Sequence, residues 1–265
     1  RTPRTGHIVP YGGVLDALTQ VGPMARYVED LVLALPLICG PDGTDPAVVP
    51  VPIRDPQDVN LSSLRIAWYA DNGIVSPHED IQRVVTETAQ VLQRRGLNLT
   101  AQLLPGTRHL VNLTTQLREA TNAGFILRLL ERYGTVEHGP ELDGYLTEQG
   151  VANANRLDPA LLEQVDEARA GALGFFQDFD AILCPASFAV ARPHRASHAD
   201  SFDEWGYVQF HNLLGWPGAS VRAGTSAGGI PVGVQLIAAP WREDIALALA
   251  QEIETVMGGF QPPGL

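Results

Sequence analysis

The chain contains no lysine; all 18 of its Lys-plus-Arg cations are arginines. A lysine acting as general base, Schiff-base former or phosphate clamp therefore cannot come from these 265 residues. Arginine-only usage, beside 26 Gly and 20 Pro, also suits a GC-rich genome. Cysteine is scarce. Cys39 and Cys184 lie far apart, with neither a disulfide framework nor a zinc spacing, and read as two buried thiols of a cytoplasmic protein. A basic cluster is missing too. The net charge of −12 excludes a broad phosphate-binding face, so neither nucleic acid nor an anionic membrane is an expected partner. No apolar run reaches the roughly 18 residues that span a bilayer. The first ten residues are not a signal peptide, and no Met precedes Met24, so the chain reads as starting within a longer protein. What is present suits a globular core: 45% hydrophobic and 18% charged residues.

The order of patterns says α/β: a mixed central sheet flanked by helices. Residues 1–23 read as extended loop, and Met24 to Ile38 as a helix stopped by Gly40-Pro41. Residues 40–63 carry five prolines and read as loop. Leu64 to Ala70 is a buried strand. A helix follows, with Ser76 as N-cap and Pro77 as first residue, closed by Gly96. Asn98 to Leu104 reads as strand. From about 106 to 176 the pattern is helical, broken near 134–140 and 150, with Asp158-Pro159 opening the last helix. Asp180 to Pro185 is a short buried strand, and Phe202 to Leu214 a short helix. Ala219–Ala223 and Val232–Ala238 form a hairpin around Gly228-Gly229, and Asp244–Met257 is the final helix.

Three strings could carry chemistry. Gly224-Thr-Ser-Ala-Gly-Gly229 could present Ser226 as a nucleophile, but a strand follows it rather than a helix, so a hairpin turn is favoured. Ser62-Ser63 reads as a solvated turn. His194 and His198, near Asp200, Asp203 and Glu204, would hold a metal only on a helix. Pro193 argues for a surface loop, and no third ligand is suitably spaced.

Four further strings, in order, resemble the amidase signature family. Gly22-Pro-Met-Ala-Arg26 with Val28 and Asp30 resembles its G-P-M-A-R-x-V-x-D element. Arg4-Thr-Gly-His-Ile-Val-Pro10 with Gly12-Gly13 is similar to the end of K-P-T-x-G-R-V-x-x-x-G. Asp180 to Pro185 is similar to D-x-L-x-x-P. Asn212 to Ser220, leading into Gly229 to Ile237, is similar to N-x-x-G-x-P-A followed by G-L-P-V-G-V-Q-L-I. One departure stands at Ala17 to Val21, where the family often has S-L-D.

The resemblance implies the C-terminal portion of the amidase signature fold, with residues 1–265 as part of one domain and a variable, mostly helical segment at about 106–176. It implies hydrolysis of linear amides, or of carbamates as in urethanases, through an acyl-enzyme and without a cofactor. The branch it most resembles is the bacterial aryl-acylamidases. The family's lysine, its serine in a cis peptide and its nucleophilic serine precede the K-P-T segment, so no catalytic residue is carried onto this chain, and alone it would be inactive. Its implied role is to supply sheet and pocket walls: Cys184, Pro185, Ala186 and Ser187 at the end of a strand, and Gly215, Trp216, Pro217 and Gln235. Trp216 reads equally as wall or core, and Gln235 as pointing at substrate or satisfying backbone. Cys39 reads as core packing. The implied partners are a small apolar or aromatic amide or carbamate and the N-terminal half of the same fold, with a homodimer left open. An inactive binding or assembly module derived from an amidase is the alternative.

Overall fold

A computed structural model describes residues 2–5, 18–148, 157–193 and 205–262. Among them, five strands form one mixed sheet: β1 (Arg65–Trp68), β2 (Asn98–Ala101), β3 (Ala181–Pro185), β4 (Gly218–Thr225) and β5 (Pro231–Ala238), in the order β2-β1-β3-β5-β4. β1 runs parallel to both β2 and β3, whereas β5 is antiparallel to β3 and β4. The helices are α1 (Val28–Ile38), α2 (Glu79–Arg94), α3 (Thr107–Arg132), α4 (Pro140–Glu148), α5 (Pro159–Leu173), α6 (Gln209–Leu214) and α7 (Glu243–Met257).

Side-chain alternation divides the core into two layers. Ile66, Ala181, Leu183, Val234 and Leu236 face one side, where α2, α7 and the inner face of α1 pack. Ala67, Ile182, Cys184 and Ile237 face the other, beneath α3, α5 and α6. The crossover from β1 to β2 carries α2 on the first side, and the connection to β3 carries α3 and α5 on the second. The chain thus winds away from β1 in both directions, which opens a crevice outside the carboxyl ends of β1 and β3.

Local chemistry explains most boundaries. α2 ends where Gly96 takes a φ of +89°, open to Gly at no steric cost. Asp158 caps α5 by accepting from the Ala160 amide at 2.9 Å. The expected hairpin is β4–β5, and its turn is held by Ser226: its amide donates to the Ile230 carbonyl at 2.8 Å and its Oγ accepts from the Ile230 amide at 3.0 Å. That hydroxyl is a turn clamp. Ser62 sits in a short exposed turn capped by Asn60.

Three expectations change. α2 starts at Glu79, not Pro77, with His78 as cap: its Nδ1 accepts from the Asp80 amide at 3.2 Å. Ser76 lies outside the helix, its hydroxyl donating to the Asp71 carboxylate at 2.6 Å. Cys39 is half-buried at the end of α1 rather than in the core. Between Trp205 and Leu214 a 3-10 turn (Trp205–Tyr207) precedes the six-residue α6, in place of one helix. The Gly6-to-Gly13 string, Ala17, the 150 break and the His194–Glu204 cluster lie outside the described residues.

Candidate functional site

The crevice between the ends of β1 and β3 is closed at its base by one backbone bond, from the Tyr69 amide to the Leu183 carbonyl at 3.1 Å. Further out, the His78 amide donates to the Phe188 carbonyl at 2.7 Å, tying the two following loops together. Tyr207 fills the space between. Its hydroxyl accepts from the Asn72 amide at 3.0 Å and donates to the Val75 carbonyl at 2.7 Å. Asn72 answers through its side-chain amide, which donates to the Gly206 carbonyl at 3.2 Å. The turn after β1 is thereby fixed by tertiary contacts on both sides.

Cys184 lies at the floor, paired in register with Gln235 across β3 and β5. The Gln235 amide donates to the Tyr207 carbonyl at 3.2 Å, and the Cys184 sulfur is 3.5 Å from it. Gln235 therefore satisfies backbone and braces Tyr207. Burial pushes the Cys184 thiol up to about 11, so it stays protonated at neutral pH and is a poor nucleophile. The Tyr69 hydroxyl, buried beside that thiol, is likewise pushed well above the usual phenol value by desolvation. Desolvation raises Tyr207 too. Pro185 is buried behind this floor, while Ala186 and Ser187 are half-buried at the mouth; the Ser187 Oγ accepts from the Ala189 amide at 3.2 Å.

The structure separates the expected wall into two places. Cys184 to Ser187 and Gln235 meet at the carboxyl end of β3. Pro217 accepts from the Ala238 amide at 3.0 Å, and Ala238 pairs with Ala181 at the opposite end of that strand. Four residues of β3 at about 3.3 Å each put the two places roughly 13 Å apart along the sheet. Gly215, exposed with φ +69°, ends α6, and α6 itself covers the distance between them. Trp216 is buried edge-on against Phe176, with ring centroids 4.5 Å apart, and His211 lies alongside.

Sequence reasoning missed Tyr207, Asn72 and Tyr69. The Asp71-Asn72-Gly73 string after a strand was a visible turn signal, whereas Tyr207 had no local signature at all. It also missed a hollow of about 400 Å³ at the ends of β1 and β2, between Trp68, Ala70, Thr86 and Gln102. Among the described residues no cluster of His, Cys, Asp and Glu could hold a metal ion, and no helix is long and apolar enough to cross a membrane.

Comparison with known proteins places this geometry. A family model described as Amidase matches residues 1–247. The indoleacetamide hydrolase of Bradyrhizobium japonicum is 29% identical over 283 residues, covering 97% of this chain and 57% of the relative. One component of the glutamyl-tRNA(Gln) amidotransferase of Xanthobacter autotrophicus is 25% identical, covering 96% of this chain and 56% of its own length. A solved fatty acid amide hydrolase superposes with a TM-score of 0.77 at 21% identity, covering 96% of this chain and 50% of that one. The chain thus spans a little over half the length of the curated relatives it matches.

Proposed function

The chain belongs to the amidase family, and on that premise we propose that it is the pocket-forming half of an enzyme that hydrolyses the C–N bond of a small aromatic or apolar amide. A carbamate is the alternative substrate. The lysine base, the bridging serine and the nucleophilic serine come from polypeptide upstream of Arg1. There the serine attacks the carbonyl carbon, the amine leaves with a proton, and water then releases the acid. Cys184, Pro185, Ala186, Ser187 and Gln235 form the wall nearest the reacting carbonyl. Gly215, Trp216 and Pro217 form a second, more distant apolar surface.

One observation carries the reading. The crevice offers a thiol and two phenols held in their neutral forms, braced by Gln235 and Asn72, and no lysine. These three groups stay protonated at pH 7, so they serve as contacts for a substrate rather than as its base. Support for an aromatic amide is the 29% identity to an indoleacetamide hydrolase.

The test is release of ammonia from indole-3-acetamide, and of nitroaniline from p-nitroacetanilide. The 265-residue chain is assayed alone and together with the polypeptide encoded upstream. Turnover should need both parts. Turnover by the chain alone overturns the assignment, as does inactivity of the completed protein on both substrates.

A further inference from the structure

Asn72-Gly73, in the turn after β1, is the one Asn-Gly pair in the 265 residues. In a mobile chain such a pair is chemically unstable. The glycine nitrogen, with no Cβ beside it, attacks the carbonyl carbon of the asparagine side chain. A cyclic imide forms and ammonia leaves. Water then opens the ring to aspartate, or to isoaspartate with the main chain rerouted through the side chain. In this turn the reacting groups are all engaged. Asn72 Nδ2, the leaving nitrogen, donates to the Gly206 carbonyl at 3.2 Å. Asn72 Oδ1 accepts from the Ile74 amide at 2.9 Å and from the Val75 amide at 3.4 Å. The Gly73 amide, the attacking nitrogen, donates to the Asp71 carboxylate at 2.8 Å, and an amide anion there would lie against that negative charge. Asn72 itself is only 3% exposed. Two other elements grip the backbone. The Tyr207 hydroxyl bridges the Asn72 amide and the Val75 carbonyl, and Arg108 on α3 donates to the Gly73 carbonyl. The turn also needs its glycine, because Gly73 stands at φ +70°.

We propose that Asn72 is a deamidation site that the fold holds closed, with Tyr207 as its lock. This stands apart from the functional reading above. Closing the imide ring swings the Asn72 side chain onto the Gly73 nitrogen. That movement breaks the bonds at Oδ1 and Nδ2 and shifts the backbone that the Tyr207 hydroxyl spans. Reaction therefore waits on a local opening of this turn. The chemistry is one-way: the amide becomes a carboxylate, water is taken up and ammonia is released. A carboxylate at 72 has no proton to give the Gly206 carbonyl and would meet it acceptor to acceptor in a buried place. Isoaspartate also adds a methylene to the main chain. Either product releases the turn from Tyr207, whose own carbonyl is braced by Gln235 at the crevice floor.

The experiment holds the native protein warm at mildly alkaline pH. Aliquots are digested, and the peptide carrying Asn72 is followed by mass and by separation of its aspartyl and isoaspartyl forms. The folded parent is compared with the parent in urea and with folded Tyr207→Phe, which keeps the ring and removes the hydroxyl. Ile253→Val, buried in α7 on the other side of the sheet, is the control for general destabilisation. Amide loss should be about a hundredfold slower, or more, in the folded parent than in urea. Tyr207→Phe should speed it about tenfold, as for one buried hydrogen bond lost, and Ile253→Val should leave it unchanged. Equal rates in the parent and Tyr207→Phe overturn the proposal. So does amide loss in the folded parent as fast as in urea. An equal speed-up in Ile253→Val overturns it as well, because the loss then runs through global unfolding. If Tyr207→Phe does not fold, Arg108→Ala decides, since that side chain is exposed. It should speed amide loss about threefold, and an unchanged rate overturns the proposal.

Discussion

His211 shows how far burial alone can set a side chain's chemistry. It sits in α6 with its ring 3.9 Å from that of Phe210, and among the described residues neither ring nitrogen has a hydrogen-bond partner. Desolvation pushes its pKa down to about 3. The unfolded chain takes up this proton near pH 6.5, and the folded chain does so only near 3. The folded state's advantage is therefore complete above about pH 6.5 and drains away as pH falls toward 3. Between pH 8 and pH 5 this one group should cost about 2 kcal/mol of stability. Urea unfolding of His211→Leu should show a shallower acid loss over that interval, by roughly that amount. An unchanged pH dependence would mean the imidazole has a polar partner. No local pattern marks His211, because an orphaned ring nitrogen is a product of packing. Gly224 is similar. It reads as one of several turn glycines, yet a Cβ there would lie 2.7 Å from Val84 on α2, whose branched side chain is stiff in a helix.

At the scale of elements, period and punctuation were enough to find the strands, the β4–β5 hairpin and the Asp158 cap, because each is set by residues adjacent in sequence. The start of α2 was misplaced because His78, two residues further on, supplies the capping acceptor in place of Ser76. The expected wall divided for a related reason. Motif order places Trp216 and Gln235 within twenty residues, but Pro217 stands opposite Ala238 at the end of β5, three residues along the strand from Gln235. α1 supplies a further case. Its cap residue, Tyr27, offers no side-chain acceptor. Glu254, on α7, lends its carboxylate instead, 3.1 and 3.2 Å from the Val28 amide. Tyr27 and Arg26 meanwhile pack on the Phe260 ring. The family-like Gly22-to-Arg26 string is thus anchored by the far end of the chain. Glu254→Gln should loosen that anchor. First-turn amides of α1 should exchange about fivefold faster, as for a lost cap of roughly 1 kcal/mol, while α2 amides are unaffected. Equal exchange in both proteins would show that Phe260 suffices.

At the scale of the molecule, the described residues form one mixed sheet with a core layer on each side and a crevice outside the carboxyl ends of β1 and β3. The fold class was readable because the α/β alternation and four motif strings agree over residues 4 to 237. For the candidate site, the motif strings lead to the end of β3 at Cys184 to Ser187, whereas Tyr207 reaches that place only through the fold. The missing lysine ties these scales together. It is consistent with genome composition, and it also means that any proton transfer by a family lysine has to be brought from elsewhere. The direct measurement is the intact mass of each polypeptide after an active amidase preparation reacts with a fluorophosphonate probe. The account predicts one adduct on the upstream polypeptide and none within residues 1–265. An activity-linked adduct on any serine of this chain would contradict it.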